Sequence, residues 1–386
     1  MESNVRKNIL FVPAWYPCSF FEEQQEVYAN EYNIYNIVGN CSWLPKKKQL
    51  QRLIELKGLS QVDTSINGNL CSINIICPKY KSAQYTAQAI QKVADKVGSA
   101  IMSLIGGKKP DYVYLQSISN LAIFVVDWAK RNDVKVILAE HLIYIRHSVN
   151  YISHRKEQLY SLADKVFCVS NYLYRNLLTS GFSMKSVSVV GNLVSNHGIP
   201  EDWTKIEKNG RIMFVAGHFA DKDMPTFFAV AECLQTQNII DVFGLAGDEI
   251  FGDKPLKEYV GHNVTFMGKL PHNELLNQYS SYSLLLSTSV SETFGLSVAE
   301  AIAHGIPVVC TDSGGVRDFV NEENGIVVPI KDTDALITAI GEIISTKCDC
   351  KHISQQILDK YGYNQFKKNV SLEPSDFCTT TDNLYL

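Results

Sequence analysis

Residues 284–315 read LLLSTSVSETFGLSVAEAIAHGIPVVCTDSGG, and this stretch decides the fold of the second half of the chain. The apolar run Leu284–Leu286 predicts a buried strand, and Pro307–Cys310 predicts the next strand. Between them the pattern predicts a helix over Gly295–His304, which stops at Gly305. Small alanines along this segment would let the helix lie close to a sheet. The stretch is therefore predicted to form one βαβ unit.

Two carboxylates lie where the first strand of this unit gives way to the helix. Glu292 is in the turn, and Glu300 follows eight residues later. Ser291 and Thr293 are candidate helix caps. The helix start would present unpaired N–H groups and the positive end of the helix dipole to an anion, typically a phosphate. The N–H groups in question belong to Phe294, Gly295 and Leu296.

A carboxylate beside a phosphate site is unfavourable unless hydroxyl groups donate to it, so a sugar or a ribose is the expected second half of the ligand. The alternative is that Glu292 and Glu300 are ordinary acids at a helix start, each worth a few tenths of a kcal/mol through the helix dipole. The turn, both acids, the helix and the following Ser313-Gly314-Gly315 together favour the ligand site.

The same residues carry a family resemblance. Glu292-x7-Glu300 within SETFG…EAIAHGIPVV, followed by GGVRDFVNEENGIVVP, resembles the signature of retaining glycosyltransferases of the GT-B fold, family 4. The match is strongest over residues 211–345 and weaker over the first half. The resemblance implies that Glu300 holds the ribose hydroxyls and that Glu292 holds the hydroxyls of the donor sugar. Thr293 and the N–H groups at 294–296 would complete the donor site.

In this family, the loop after the first strand of the second domain carries an arginine and a lysine that clamp the donor diphosphate. Lys222 matches the lysine, and Gly217 or His218 stands where the arginine is expected. One fixed positive charge would then remain beside the leaving diphosphate. A second departure lies in the first half, where Cys18-Ser19 precedes FFEEQ at a place where relatives carry a glycine.

The first half offers a further candidate, His141, at the end of a predicted strand. Glu140-His141 resembles the pair that the family places opposite the donor sugar, although an isolated histidine at a strand end is often a structural group. Tyr144, Arg146 and His147 follow closely and are assigned to the acceptor side.

Strands and helices alternate through both halves, which predicts an α/β fold with parallel sheets covered on both faces. With the resemblance, this implies two doubly wound Rossmann-like domains facing across a cleft. The expected organisation is listed in chain order: residues 1–196 as the N-terminal, acceptor-side domain, 197–210 as a linker, 211–350 as the donor-side domain, 351–370 as a helix returning to the first domain, and 371–386 as a frayed tail.

The bulk composition is that of a globular protein, with 46% hydrophobic and 20% charged residues. No run of 18 apolar residues and no signal peptide are found, so a cytoplasmic protein is expected. The ten cysteines form no CxxC pair, and no dinucleotide or Walker fingerprint occurs. Neither a metal nor a cofactor is expected beyond the nucleotide-sugar co-substrate, and no nucleic-acid partner is expected.

The charge is unevenly distributed along the chain. Residues 1–196 carry 22 Lys and Arg against 14 Asp and Glu, a net charge of +8, and residues 197–386 carry 14 against 26, a net charge of −12. The basic half could meet an anionic membrane surface or acceptor, or the imbalance could be solvated without any partner.

These observations predict an enzyme that transfers a hexose-type sugar from UDP or GDP to a carbohydrate or lipid-linked carbohydrate, in bacterial surface polysaccharide synthesis. Retention of configuration is implied by the resemblance alone. The rival hypothesis is a non-catalytic GT-B subunit that binds nucleotide weakly and serves a partner protein, because the arginine and the glycine are both absent. A nonhydrolysing sugar-nucleotide epimerase of the same fold is a third reading, disfavoured by the Glu-x7-Glu spacing.

Overall fold

The protein folds into two compact units. The computed structural model describes residues 6–16, 18–43, 61–77, 87–142, 151–217, 222–235 and 239–372. The first unit comprises Met1–Val169, Leu173–Val190 and Val370–Leu386, and the second comprises Ser170–Tyr172 and Gly191–Asn369. Each unit is built around its own predominantly parallel sheet, which confirms the predicted α/β class.

The sheet of the first unit has eight strands in the order β3-β4-β2-β1-β5-β6-β7-β8. The central strands are apolar almost throughout, as expected where both faces are covered. The strands are β1 (Lys7–Pro13), β2 (Tyr32–Trp43), β3 (Gln61–Asn67), β4 (Leu70–Cys77), β5 (Tyr112–Gln116), β6 (Lys135–Glu140), β7 (Lys165–Cys168) and β8 (Val187–Val189).

Strand β3 was not predicted, and it is the one antiparallel member among the described strands of this sheet. It joins β4 through a tight turn in which Gly68 has a φ of 57°. The two turn residues are Gly68 and Asn69, because Asn67 pairs with Leu70, and Gly-Asn is a known sequence for two-residue hairpins. The strand was missed because its sequence, QVDTSIN, is mostly polar and shows no apolar alternation.

Within the part of the chain that the structure describes, five helices connect these strands. They are α1 (Ser19–Glu26), α2 (Ala87–Leu104), α3 (Asn120–Arg131), α4 (Tyr151–Leu162) and α5 (Asn171–Thr179). Helix α1 ends at Glu26, before Tyr32 begins the extended strand β2.

The sheet of the second unit has six parallel strands in the order β13-β10-β9-β14-β15-β16. These are β9 (Ile212–Val215), β10 (Ile240–Phe243), β13 (Val264–Gly268), β14 (Leu284–Ser287), β15 (Val308–Thr311) and β16 (Gly325–Val328), with a small hairpin of β11 (Ile250–Phe251) and β12 (Lys254–Pro255). Phe214 and Phe227 stand at its core, with ring centroids 4.2 Å apart.

The described residues of the second unit form six α-helices. They are α6 (Met224–Cys233), α7 (His272–Tyr279), α8 (Leu296–Ala303), α9 (Thr333–Ser345), α10 (Cys350–Tyr361) and α11 (Tyr363–Asn369). The strand–helix–strand unit β14-α8-β15 occupies the stretch from which it was predicted. None of the helices in the described residues is long and apolar enough to cross a membrane.

The C-terminal segment departs from the expected organisation. A single helix over residues 351–370 was expected to return to the first domain. The segment forms two helices, α10 and α11, and both cluster with the second unit, while Val370 onward clusters with the first. The hydroxyl of Ser354 on α10 donates to the carbonyl of Ala303 on α8, at 2.5 Å. Buried Ser354 and Ile357 thus tie this helix to the second unit.

The packing of α2 on α3 depends on a helical glycine. A Cβ atom added to Gly98 would lie 2.1 Å from the indole of Trp128, which is 6% exposed. We predict that Gly98→Ala lowers the free energy of unfolding by about 1–3 kcal/mol, because overpacking outweighs the better helix propensity of alanine.

Gly341 in α9 is the matched control, since a Cβ added there meets no atom within 4 Å. Gly341→Ala should raise the free energy of unfolding by up to about 1 kcal/mol. Urea denaturation of both variants measures the difference. A stabilised Gly98→Ala variant would contradict the close packing of Trp128.

Candidate functional site

The turn after β14 is held in place by backbone hydrogen bonds to the loop after β15. The N–H of Glu292 donates to the carbonyl of Ser313 at 2.8 Å, and the N–H of Gly315 donates to the carbonyl of Glu292 at 2.9 Å. A Cβ atom on Gly315 would lie 2.3 Å from the carbonyl oxygen of Thr293. The glycine is therefore required for the two loops to lie this close, and the pairing fixes the backbone of Glu292.

Helix α8 starts at a glycine cap. Gly295 has a φ of 91°, a left-handed conformation that favours glycine, and no side chain caps the helix. The prediction that Ser291 or Thr293 caps the helix is therefore wrong. The first N–H groups bonded back into the helix are those of Val298 and Ala299, both to the carbonyl of Gly295. The preceding N–H groups remain available to an anion, as expected at a helix start.

The side chains around this helix start differ in burial. Phe294 is 1% exposed and packs edge-on against Tyr361, with ring centroids 5.1 Å apart, and against Phe319. Its ring anchors the turn, so only its backbone can meet a ligand. Thr293 and Leu296 are half-buried.

Lys222 and Glu292 come together at this edge of the sheet, although they are 70 residues apart in sequence. The Lys222 Nζ atom lies 2.6 Å from Glu292 Oε1, and the two side chains are 15% and 21% exposed. The hydroxyl of Ser289 donates to the same Glu292 oxygen at 2.8 Å. The hydroxyl of Thr288 also donates to the backbone carbonyl of Lys222, which positions the loop that carries the lysine.

Gly217 lies just after β9, on the loop that leads to Lys222. A Cβ atom added there meets no atom of the described residues within 4 Å, and Gly217 is not in a left-handed conformation. His218, the other candidate for the position of the missing arginine, lies outside the described residues.

Glu300 lies on α8, as predicted, but its carboxylate is buried. It is 4% exposed, its Oε1 atom lies 2.7 Å from Nε2 of His272, and its Oε2 atom accepts from the hydroxyl of Tyr279 at 3.0 Å. Burial, with the nearby charge of Glu300, holds the pKa of Tyr279 well above its ordinary value, so this hydroxyl stays a donor. The sequence analysis missed His272 and Tyr279, since both belong to a separate helix.

His304 links the end of α8 to the segment that enters the second unit. Its ring is fully buried, with Nδ1 2.7 Å from the carbonyl oxygen of Glu300 and Nε2 2.9 Å from that of His197. The ring also stacks on Tyr279, with centroids 5.2 Å apart. Burial lowers the pKa of His304 below its ordinary value. No sequence signal marked this residue as part of the site.

In the first unit, His141 follows β6 and its ring lies against Phe20 and Phe21, with centroids 5.4 and 5.3 Å away. The neighbouring Glu140 is 2% exposed and accepts hydrogen bonds from the N–H groups of His141 and Leu142. Tyr160 donates to the same carboxylate at 2.8 Å. Burial raises the pKa of Glu140.

The Glu140 carboxylate thus fixes the backbone turn that carries His141. The three residues assigned to the acceptor side, Tyr144, Arg146 and His147, lie outside the described part of the chain. Among the residues that the structure describes, no group of three or more metal-ligating side chains comes together.

The chain is similar in sequence and in fold to several known proteins. Residues 209–346 match the family described as "Glycosyl transferases group 1". An uncharacterized glycosyltransferase of Methanocaldococcus jannaschii is 27% identical over 179 residues, which are 44% of this chain and 44% of that protein. The chain spans about half or less of the length of the first curated relatives it matches.

Another relative aligns over more of the chain. An uncharacterized 41.2 kDa protein in the cps region of Klebsiella pneumoniae is 24% identical over 310 residues, covering 72% of this chain and 84% of that protein. A lipopolysaccharide core biosynthesis mannosyltransferase of Rhizobium meliloti is 28% identical over 138 residues, covering 34% and 38% of the two chains.

Solved structures agree in fold over nearly the whole chain. Sucrose-phosphate synthase from Thermosynechococcus elongatus superimposes with a TM-score of 0.65 at 16% identity, covering 94% of this chain and 97% of that one. HepE of Anabaena, solved in complex with UDP, gives 0.63 at 16% identity over 94% and 97%. Residues 209–346 are therefore similar to the group 1 glycosyltransferases, and the chain as a whole has the GT-B fold.

The buried histidine leads to a pH prediction. Because burial lowers the pKa of His304, the unfolded chain binds the proton more readily, and this residue loses stabilisation as the pH falls through about 6.5. We predict that the free energy of unfolding drops more between pH 7.5 and 5.5 in the wild type than in His304→Gln, which cannot be charged. Urea denaturation at both pH values tests this, and equal pH slopes would show that the pKa of His304 is the same in the folded and the unfolded chain.

Proposed function

We propose that the chain transfers a hexose-type sugar, with retention of configuration, from a UDP- or GDP-linked donor to a carbohydrate or lipid-linked carbohydrate. The observation that carries the proposal is the Lys222–Glu292 pair beside the open start of α8, within the segment that matches the glycosyltransferase family. A cation, free N–H groups and a carboxylate then stand together, as a sugar linked to a diphosphate requires.

The leaving diphosphate would be held by the N–H groups at the start of α8 and by Lys222. Both supply positive charge where negative charge develops as the sugar departs. They would do so without a divalent ion. Lys222 is already bonded to Glu292, so the diphosphate competes with this carboxylate for the ammonium group.

This competition gives Glu292 its role. When the diphosphate takes the ammonium group, the carboxylate oxygen that faced Lys222 becomes free to accept from a hydroxyl of the donor sugar. Ser289 keeps its hydrogen bond to the same oxygen and so preserves the orientation of the side chain. Donor binding would thus convert an internal ion pair into two contacts with the ligand.

We assign the ribose hydroxyls to Glu300, with one condition. Both oxygens of this carboxylate already accept hydrogen bonds inside the protein, and the His272 side chain, 22% exposed, is the more accessible of the two partners. The ribose would reach Glu300 by displacing His272, while Tyr279 keeps its bond. His141 would lie on the sugar side as a contact to the transferred hexose.

The names of the relatives support the proposed donor and pathway. HepE has been solved with UDP-glucose, and other relatives are named for lipopolysaccharide core and teichuronic acid biosynthesis. These names support a UDP-linked donor and a role in bacterial surface polysaccharide synthesis in the cytoplasm. The net charge of +8 on residues 1–196 supports peripheral contact with an anionic membrane that carries a lipid-linked acceptor.

Substitutions of Lys222 and of Glu292 test the ion pair, because the two variants should differ in their affinity for UDP. Lys222→Ala should lower turnover by about a hundredfold, as expected for loss of one preorganised charge, and weaken UDP binding. Glu292→Gln should also lower turnover but should bind free UDP as tightly as the wild type or more tightly, because the competitor for Lys222 has lost its charge. Release of free nucleotide diphosphate, measured in EDTA, and calorimetric titration with UDP supply the two readings.

Lys257→Ala is the matched control, since Lys257 forms an exposed 2.6 Å pair with Asp248 in the same unit. It should leave both readings unchanged. Weaker UDP binding in Glu292→Gln would contradict the competition. If the folded wild type released nucleotide from no donor in a broad panel, the non-catalytic hypothesis would replace this one.

The open space at Gly217 allows the missing arginine to be restored. We predict that Gly217→Arg raises turnover at saturating donor, because a guanidinium binds phosphate oxygens through a planar fork that lysine lacks. His218→Arg, made separately, tests the alternative alignment of the loop. A loss of activity in both folded variants would show that the diphosphate is bound by another route, with the native loop contributing directly.

A further inference from the structure

Two cysteines of the second unit lie one residue apart at the beginning of α10, outside the candidate site. Cys348 precedes the helix, Cys350 is its first residue, and Asp349 lies between them. Both cysteines are half-buried, and neither forms a disulfide. The Sγ atom of Cys350 lies 3.9 Å from the carbonyl oxygen of Cys348. The two residues are therefore close in space, and both remain partly open to solvent.

The backbone of Asp349 folds the two cysteines toward each other. Its φ of −82° and ψ of 86° are close to those of an inverse γ-turn, about −75° and 65°. Two Cα atoms separated by one residue are at most about 7 Å apart, and those of a disulfide are about 4.4–6.8 Å apart. A folded conformation between Cys348 and Cys350 therefore suits a disulfide. The Asp349 carboxylate accepts from the N–H of His352 at 3.1 Å, which holds this turn at the start of the helix.

The ammonium group of Lys208 lies beside this pair. Its Nζ atom donates to the carbonyls of Ser280 and Gly305, at 3.0 and 3.3 Å. The carbonyl oxygen of Cys350 packs against the same glycine, 2.8 Å from the position that a Cβ atom on Gly305 would take. The main chain thus holds a positive charge near the two sulfur atoms, where it favours a thiolate.

These contacts favour the ionisation of one thiol over the other. A hydrogen bond with Cys348, together with the charge of Lys208, lowers the pKa of Cys350 to about 6, although burial and the carboxylate of Asp349 oppose this shift. The same hydrogen bond, with burial, raises the pKa of Cys348. Because the thiolate is the nucleophile in disulfide exchange, Cys350 is the thiol that attacks first.

We propose that Cys348 and Cys350 form a thiol-modification site, which reacts with low-molecular-weight disulfides and closes into a reversible intramolecular disulfide. The site uses neither a sugar donor nor an acceptor, so the proposal is independent of the proposed transferase function. It lies at the C-terminal end of α8, beside Gly305, whereas the anion site is at the start of that helix.

The exchange takes place in two balanced steps. The Cys350 thiolate attacks one sulfur of the small disulfide, so that a mixed disulfide forms, the S–S bond of the reagent breaks and a first small thiolate leaves. Cys348 then gives up its proton and attacks the Cys350 sulfur, which expels a second small thiolate. The two protons released by the cysteines end on the two small thiols. The protein dithiol is oxidised, and the reagent is reduced.

Peptide mapping of the full chain after treatment with glutathione disulfide and acid quenching tests this closure. Cleavage after glutamate releases residues 343–373, in which Cys348 and Cys350 are the only cysteines. We expect this peptide to become about 2 Da lighter, by the loss of two hydrogens, and to regain its mass in dithiothreitol. Cys348→Ser should instead stop at the mixed disulfide with glutathione, because the second thiol is absent.

An exposed cysteine of the same unit is the internal control. The same cleavage releases residues 233–249, in which Cys233 is the only cysteine. Cys233 is exposed to the reagent but has no second cysteine beside it in this peptide. It should therefore carry at most a mixed disulfide and never lose the two hydrogens.

The activation of Cys350 is tested by the pH dependence of its alkylation with iodoacetamide. A thiol with a pKa of about 6 is half ionised at pH 6, so its rate should rise only about twofold between pH 6 and 8.5. An ordinary cysteine, with a pKa of about 8.5, should rise about 150-fold over this range, and the chain unfolded in urea supplies that reference. Lys208→Gln should increase the pH dependence in the folded protein, whereas Lys257→Gln, at an exposed lysine of the same unit, should not change it.

Three results would overturn the proposal. The first is a 343–373 peptide that keeps its mass when the folded wild type is treated with glutathione disulfide. The second is a wild type that accumulates the same mixed disulfide as Cys348→Ser, since the second thiol would then be unable to close the bond. The third is an equal pH dependence of Cys350 alkylation in the folded and the unfolded chain, because the surrounding groups would then not activate the thiol. Circular dichroism shows that each variant is folded.

Discussion

The position of Glu292 depends on one constraint, the close backbone pairing between the turn after β14 and the loop after β15. Two hydrogen bonds connect Glu292 to this loop, and the pairing leaves no room for a side chain at Gly315. The turn then reaches Gly295, whose left-handed backbone starts α8 without a capping side chain. A capping serine or threonine would occupy the first N–H groups of the helix. The glycine leaves them available, so the same local geometry that begins the helix also prepares an anion site.

The far side of α8 is fixed by a different kind of interaction. Glu300 is buried among His272 and Tyr279, and its backbone carbonyl oxygen lies 2.7 Å from Nδ1 of His304. A buried carboxylate without partners would be costly, and these polar contacts offset that cost. The helix is therefore held rigidly between its start and its end. A ligand that binds at the start meets groups whose positions are already set, which limits the ordering cost of binding.

The parts of the fold that are local in sequence were predictable, and the parts that depend on distant residues were not. The β14-α8-β15 unit follows from apolar runs, glycine and proline, so its strands and helix lie where the pattern placed them. The helix cap was wrong because serine and threonine near a helix start are favoured on average, whereas here a glycine turn brings the loops together. His272 and Tyr279 were missed because nothing in a single sequence indicates which helix packs over Glu300. The polar strand β3 was missed because it faces solvent along one side and lacks the alternation that identifies a strand.

The two units present ligands with different physical chemistry. In the second unit, a lysine, a glutamate and a helix start offer opposite charges at short range, which suits a ligand that joins a diphosphate to hydroxyl groups. In the first unit, a groove beside Trp15 offers aromatic surface and short polar side chains. A positive net charge on the first half could be taken to mean that its ligand is anionic. Local charge decides binding at close range, because exposed charges more than about 8 Å away are largely screened at physiological ionic strength. The net charge of the first half therefore does not decide which ligand binds within either unit.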